Sequence, residues 1–457
     1  MCGRRAARWP ENRSEVNLSR PAPLVTALIL TLELSGCTSV TTLGSGVVAN
    51  RSEARAPRLP GASGKIQHVV FIIQENRSFD NLFQGYPGAN TASSGLDSSG
   101  NTIALAPIPF QETYDISHGV GDFINATDGG KMDGFDLELT EGPAGKYPHP
   151  QYGFVPHKQT KLYFDMAKQY VLGDNVFASN LDSSWVAHQY AIAAQANAAV
   201  DLPEYYDGCD HDRANTIATL TSTRQLGKAE PTCQNYQTLG DELDAAGLTW
   251  RYYTYVTTDW LWSAYGAIKH IRYGPDWQPD VVGPETKVLS DIAAGTLQNV
   301  TWVTPSIPNS DHSSSRSDTG PEWVASVVNA VGSSSFWNST AIFVIWDEWG
   351  GWYDHVPPPY EDYDGLGIRV PLLIISPYAK QHYVSHVQYE TASVLRFVED
   401  QFGLEPLAAS DTRANDPAGD CFDFSQPPRA FVPFATKQKL RDFQRADRAH
   451  PGRPDDQ

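Results

Sequence analysis

Residues 67–80 read Gln67-His68-Val69-Val70-Phe71-Ile72-Ile73-Gln74-Glu75-Asn76-Arg77-Ser78-Phe79-Asp80. The first half is a continuous apolar run, typical of a buried strand, and it ends abruptly in a carboxylate, an amide and a guanidinium. Because open α/β sheets bind ligands at the carboxyl ends of their strands, Glu75 and Asn76 are candidate site residues. The alternative is a helix start capped by Asn76 or Ser78, which does not account for Glu75.

A second stretch of the chain has the same arrangement. Residues 341–346 are apolar, and Asp347 and Glu348 follow at once. Asp354 and His355 come next, beyond two glycines that let the backbone approach a ligand closely. Since neighbouring carboxylates repel one another unless a cation lies between them, the two strand ends predict a metal-centred hydrolytic site. Oxygen ligands suit Ca, Mg or Mn, and Zn and Fe stay open.

Strands that alternate with helices set the predicted fold. Further buried runs lie at 301–304 and 370–376, and helical patterns lie at 236–246, 322–331 and 389–402. This alternation gives a mainly parallel sheet covered on both faces. We therefore predict an α/β fold, a three-layer α/β/α sandwich with inserted loops, in which the aromatic segment 252–273 is a lid or cap.

The nucleophile and the general acids are sought among serines and histidines. Ser183 and Ser184 precede an Ala-rich helical pattern, where the positive end of the helix dipole favours an alkoxide, although such a serine is often only a cap. His118 and His312 lie in loops of small polar residues near an aspartate, and are candidates for acid catalysis or phosphate binding. The histidines without such neighbours are interpreted as structural: His68, His188, His270 and His382.

Taken in order, these motifs resemble the bacterial phosphoesterase family. That family contains phospholipase C enzymes and the acid phosphatase A group, and it is similar in fold to the alkaline phosphatase superfamily. The resemblance covers residues 65–430 and is most specific at 75–80 and 347–358. Two positions depart from the family pattern. Ser184 stands where phospholipase C members commonly have Thr, without the Pro that follows two residues later, and Asp311 replaces a common Glu.

The resemblance implies a role for each matching position. A divalent metal ion would be held by Glu75, Asn76, Ser184, Asp347 and Glu348. Ser184 would also be the nucleophile, with Ser183 as its rival. His118, His312 and His355 would hold phosphoryl oxygens or protonate the leaving group, and Asp311 and Asp354 are predicted to bind substrate.

The termini are predicted to lie outside the catalytic domain. Arginines precede an apolar run that is too short to span a bilayer comfortably, and it ends at a lipoprotein-like box. We interpret 1–37 as a signal peptide with lipidation at Cys37, or alternatively as an ordinary secretory signal. Residues 38–62 form a tether, 63–433 the phosphoesterase domain, and 434–457 a charged C-terminal tail. The expected location is the cell envelope, the periplasm or the medium.

The cysteines and the net charge indicate a disulfide and argue against one class of partner. Export places the cysteines in an oxidising compartment, and Cys209 and Cys233 are the predicted disulfide, worth roughly 3 kcal/mol. Cys421 is either a buried free thiol or the true partner of one of them. The formal net charge of -19 argues against nucleic acid as a partner.

The sequence predicts an exported metal-dependent phosphoesterase that acts on a phospholipid or a phosphomonoester. Membrane association would come from the lipid anchor. The alternative is a catalytically degenerate surface lipoprotein that binds phosphoesters or metal without turnover.

Overall fold

An eight-stranded sheet forms the centre of the structure. The computed structural model describes residues 64–142, 144–205, 207–210, 215–258 and 260–449. The strand order across the sheet is Val281–Val282, Trp250–Tyr253, Val300–Val303, His68–Gln74, Thr340–Trp346, Leu372–Ile375, Val171–Gly173 and Tyr383–Ser385. Every neighbouring pair is parallel except those of Leu372–Ile375, which is antiparallel to both neighbours. The predicted mainly parallel sheet is confirmed.

Helices cover both faces of this sheet. In the strand Thr340–Trp346, the ring of Phe343 lies 4.9 Å from that of Phe397, and the ring of Trp346 lies 5.0 Å from that of Tyr163. Because side chains alternate along a strand, Phe343 and Trp346 point to opposite faces. The helices that carry Phe397 and Tyr163 therefore lie in different layers, which confirms the three-layer sandwich.

The remaining elements connect and cover the sheet. The α-helices in the described ranges are Phe79–Phe83, Val120–Thr127, His157–Gln169, Ser184–Ala193, Leu239–Ala245, Lys269–Arg272, Trp277–Asp280, Lys287–Ala293, Gly320–Gly332, Ala392–Phe402, Ala409–Arg413, Ala418–Cys421 and Leu440–Ala449. Short strands pair outside the main sheet, at Ser94–Leu96 with Thr102–Ala104, Ala106–Pro107 with Gly153–Phe154, Asp115–Ile116 with Thr140–Glu141, Val176–Phe177 with Tyr389–Glu390, and Ala199–Val200 with Thr216–Thr219 and Glu230–Pro231. None of the helices in these ranges has the length and apolar character needed to cross a bilayer.

The aromatic segment predicted to be a lid begins inside the sheet. Its first residues belong to the strand Trp250–Tyr253, and Tyr252 is fully buried. The hydroxyl of Tyr252 donates to the carbonyl of Trp262 at 2.6 Å, and Trp262 is also fully buried. The expectation of a lid is wrong for these residues, because their aromatic rings are packed into the protein.

The state of the cysteines matches one of the two predicted alternatives. Cys209 and Cys233 form a disulfide, and Cys421 is a buried free thiol. Cys37 and the predicted signal and tether lie outside the described residues.

The C-terminal segment does have an apolar contact with the domain, although its sequence was expected to lack an apolar face. The helix Leu440–Ala449 buries Phe443 completely, with its ring 5.3 Å from that of Trp323. Phe443 therefore gives this charged helix an apolar contact with the domain. The boundary at residue 434 stays a prediction.

Two buried carboxylates meet where this helix docks. The side-chain amide of Asn309 donates to Asp447 Oδ1 at 2.9 Å and to Glu285 Oε1 at 3.1 Å. Burial, with repulsion by Asp447, raises the pKa of Glu285 to about 8, and burial raises the pKa of Asp447 to about 6. A carboxyl group whose pKa is higher in the folded protein than in the unfolded chain destabilises the fold as the pH rises between those two values.

We therefore predict that Glu285→Gln stabilises the protein at pH 8 but not at pH 4. Gln keeps an oxygen for the Asn309 amide and has no proton to lose, so the cost of ionising Glu285 between pH 4.5 and about 8 disappears. Thermal melts across this pH range should show Tm of the variant rising above wild type by roughly 2–4 °C at pH 8. The control is Glu361→Gln, at an exposed carboxylate. A Tm difference that does not change with pH would contradict the prediction.

Candidate active site

The pairing of the two central strands places the candidate residues together. The strands are parallel and in register, with Gln74 opposite Trp346. The polar residues that follow each strand therefore leave the sheet side by side. The backbone N–H of Asn76 donates to Asp347 Oδ1 at 2.8 Å, which joins the two strand ends directly.

A glycine lets the second strand end pack closely against the first. Asn76 has a left-handed backbone with φ of 55°, and Gly350 has φ of 60°. A Cβ atom on Gly350 would lie 2.3 Å from the carbonyl oxygen of Asn76, so a side chain cannot fit there. The N–H of Gly350 also donates to Glu348 Oε2 at 2.7 Å, which fixes the direction of that carboxylate.

Of the two rival serines, Ser184 faces the strand ends. It is the first residue of the helix Ser184–Ala193, and its hydroxyl donates to Asn76 Oδ1 at 3.3 Å. The hydroxyl of Ser183 donates instead to the carbonyl of Asp201 at 2.6 Å. Ser184 is therefore the serine that the geometry joins to the candidate metal ligands.

His188 joins the same group from one turn further along this helix. Its Nε2 lies 3.0 Å from Glu75 Oε1, and ligand atoms of Glu75, His188 and Asp347 all lie within 4.8 Å of one another. The sequence predicts a structural role for His188, because this residue has no neighbouring aspartate in a loop of small polar residues. The signal that this prediction missed is the spacing of four residues from Ser184, which puts both side chains on one helix face.

His118 lies on the other side of Asn76. Its Nδ1 is 2.6 Å from the carbonyl oxygen of Ile116, so Nδ1 carries the proton. Its Nε2 then accepts from the side-chain amide of Asn76 at 3.0 Å, and it lies 3.4 Å from Glu348 Oε1. His118 therefore contacts Asn76 and lies in the group that contains Ser184.

His312 and His188 both lie beside the aromatic ring of Trp262. The ring of Trp262 lies 5.7 Å from that of His312 and 6.4 Å from that of His188. His312 Nε2 lies 4.0 Å from Asp115 Oδ2. Trp262 therefore forms an apolar wall between the two imidazoles.

Asp311 turns away from its neighbour His312. Its Oδ2 accepts hydrogen bonds from the hydroxyl of Tyr163 at 2.8 Å and from the indole N–H of Trp346 at 3.0 Å. Burial raises the pKa of this carboxyl to about 6. These contacts tie a loop to a helix and a strand, and the predicted role in substrate binding stays a prediction.

Asp354 and His355 belong to a second group. His355 Nδ1 lies 2.6 Å from Asp80 Oδ2, and His355 Nε2 lies 3.0 Å from Asn90 Oδ1. The buried guanidinium of Arg369 lies 3.1 Å from Asp354 and 3.6 Å from Asp80. Ligand atoms of Asp80, Asp354 and His355 lie within 4.8 Å of one another, and the predicted contacts of Asp354 and His355 with substrate stay predictions.

The group around Ser184 fits a divalent cation. Glu75, His188 and Asp347 are all buried, and they offer two carboxylates and one imidazole. Burial raises the pKa of Asp347, although the hydrogen bond from the Asn76 backbone and interactions with the side chains of Glu75 and Ser184 oppose this rise. A cation between the carboxylates would compensate the cost of burying them.

Comparisons with known proteins identify the family of the chain. The chain matches the model of the Phosphoesterase family over residues 66–405. It is 24% identical over 438 residues to phospholipase C A of Mycobacterium tuberculosis (strain CDC 1551 / Oshkosh), a match that covers 82% of this chain and 80% of that protein. The non-specific phospholipase C4 of Arabidopsis thaliana is 25% identical over 405 residues, with 76% of this chain and 70% of that protein covered.

Solved structures give a more distant likeness. A Vibrio parahaemolyticus protein in the alkaline phosphatase superfamily is 11% identical, with 77% of this chain and 73% of that chain covered and a TM-score of 0.35. The family model, by contrast, spans most of the chain and includes both strand ends. The chain therefore belongs to the Phosphoesterase family and is a hydrolase of phosphoester bonds.

Proposed function

We propose that this protein is an exported, metal-dependent phosphoesterase of the phospholipase C type, with Ser184 as its nucleophile. The observation that supports the proposal most is the position of the Ser184 hydroxyl, 3.3 Å from Asn76 Oδ1 and beside Asp347. A hydroxyl at a helix N-terminus among buried carboxylates is the arrangement that nucleophilic phosphoryl transfer requires.

Each residue has a defined task in the proposed reaction. Glu75, Asn76, Asp347, Glu348 and Ser184 hold the metal, as the family resemblance implies. A divalent metal bound there lowers the pKa of the serine hydroxyl and neutralises charge on the phosphoryl group. The Ser184 oxygen attacks phosphorus in line, the bond from phosphorus to the leaving alcohol breaks, and a phosphoserine forms.

The second half of the proposed reaction regenerates the enzyme. His312 has given its proton to the alkoxide that left in the first half; it now takes a proton from the water molecule that attacks phosphorus, and the Ser184 oxygen leaves as the alkoxide with which the reaction began. His118 Nε2, which lies 3.0 Å from the amide nitrogen of Asn76, keeps that side chain turned so that its oxygen faces Ser184. The free N–H groups at the helix N-terminus are available for phosphoryl oxygens.

The proposed substrate is a phospholipid diester. This choice is supported by the relatives, which are named phospholipase C in bacteria and in a plant. The products would then be a diacylglycerol and a phosphorylated alcohol. Phosphomonoesters, the substrates of the acid phosphatase group, are the second candidate class.

Export is supported by the disulfide. Cys209 and Cys233 are bonded, and disulfides persist in oxidising compartments. The signal peptide and the lipid anchor at Cys37, both proposed from the sequence, would place the enzyme at or beyond the cell membrane.

We predict that Ser184→Ala lowers kcat by at least about 10³-fold, because the change removes the proposed nucleophile. Ser183→Ala is the matched control and should change kcat by less than about tenfold. Hydrolysis of p-nitrophenylphosphorylcholine and of p-nitrophenyl phosphate, with circular dichroism to check the fold, measures both variants and the preference between diesters and monoesters. Equal losses in the two variants would contradict the assignment. A folded, metal-loaded wild type that turned over neither substrate would favour the binding protein without turnover.

We predict that the metal binds at Asp347 and is needed for turnover. Asp347→Asn should lose bound metal and lower kcat by more than about 10²-fold, because a carboxylate ligand becomes a neutral amide. Metal content by mass spectrometry and turnover before and after dialysis against a chelator would measure this. Asp311→Asn, which changes a carboxylate outside the group, should keep its metal. Full turnover by protein shown to be free of metal would rule out metal dependence.

A further inference from the structure

One helix presents two different chemical groups to the same strand end. Ser184 and His188 are four residues apart in the helix Ser184–Ala193, so their side chains lie on one face. The Ser184 hydroxyl meets Asn76, and the His188 imidazole meets Glu75. Two residues one helical turn apart therefore contact two consecutive residues that follow the first central strand.

We propose that His188 is a nitrogen ligand of the metal, and that it biases the site toward Zn²⁺ or Fe over Ca²⁺. This inference rests on the proposed function. It goes beyond the family resemblance, which gives the site only oxygen ligands: one acid and an amide after the first strand, two acids after the second, and a hydroxyl.

The distances between the ligand atoms of these side chains support the proposal. Imidazole nitrogen and carboxylate oxygen bind such metals at about 2.0–2.2 Å, so two ligand atoms of one ion lie at most about 4 Å apart. His188 Nε2 and Glu75 Oε1 are 3.0 Å apart as they stand. An oxygen of Asp347 lies within 4.8 Å of both. Only small side-chain movements are needed for all three to reach one ion.

The surroundings hold the imidazole in this direction. His188 is fully buried, and its ring is nearly parallel to that of Trp262, at an interplanar angle of 19°. The helix that carries it is buried along its whole length. A ring fixed in this way directs Nε2 at Glu75, which is the preorganisation that a metal ligand needs.

A nitrogen donor changes the preferred metal. Ca²⁺ and Mg²⁺ are bound almost entirely by oxygen ligands, whereas imidazole suits Zn²⁺ and Fe. A site made of carboxylates and one imidazole therefore favours Zn²⁺ or Fe among the metals that oxygen ligands alone would allow.

The test is metal affinity rather than activity. Competition with a chromophoric chelator gives Kd for Zn²⁺ and for Ca²⁺ in wild type and in His188→Gln, whose amide can still donate to Glu75. We expect Kd for Zn²⁺ to rise more than about 100-fold, above the 10–100-fold effect of residues that only orient a ligand, and Kd for Ca²⁺ to change less than about tenfold. The matched control, His68→Gln, changes a histidine that contacts the carbonyl of Gln298 and should alter neither value.

A second measurement does not depend on the variant folding. Pulsed electron paramagnetic resonance of the Cu²⁺-loaded wild type should show coupling to an imidazole nitrogen, and its absence would overturn the inference. A change in Kd for Zn²⁺ below 100-fold in folded His188→Gln would also overturn it and leave His188 as a positioning residue. If Ser184-dependent, metal-dependent hydrolysis persists in that case, the proposed function survives. A wild type that binds neither metal would overturn both.

Discussion

The register between the two central strands is the constraint on which the candidate site depends. Gln74 lies opposite Trp346, so the first polar residues after each strand leave the sheet together and Asn76 can donate to Asp347. A slip of one residue would turn every side chain of a strand to the other face. Phe343 would then leave its contact with one helix layer and Trp346 its contact with the other. The packing of the apolar core therefore also protects the geometry of the polar residues beyond it.

The helix Ser184–Ala193 depends on the same core. All ten of its residues are buried, so it has no solvent-exposed face, and it is surrounded by protein rather than lying on the surface. This burial explains why its sequence is rich in small and apolar residues, which a surface helix would restrict to one stripe. It also explains the precision of the site, because a helix held on all sides cannot rotate. Ser184 and His188 are therefore directed at the strand ends by packing, before any metal or substrate binds.

Sequence alone could predict the parts of the site that follow directly from strands. Glu75 and Asp347 stand immediately after apolar runs, and the end of a strand fixes where the next residue lies. Loop residues were harder, since their direction depends on partners that are distant in the sequence. Asp311 turns to Tyr163, 148 residues away, although its neighbour His312 lies near the site. The sequence left a choice between Ser183 and Ser184. The structure separates them by one hydrogen bond each, because Ser184 donates to Asn76 and Ser183 donates to the carbonyl of Asp201.

Two groups of buried carboxylates illustrate how charge is accommodated in this fold. Asp354 receives the guanidinium of Arg369 at 3.1 Å, so its compensation comes from the chain itself. Asp347 receives a backbone N–H and lies with Glu75 and an imidazole, which are groups that bind metals. The Arg369 guanidinium already donates to Asp354 and to the carbonyls of Asn90 and Asp174. A bound metal, in contrast, can polarise a substrate oxygen while keeping a position open for substrate. The first group is thus suited to holding the loops in place, and the second is suited to chemistry.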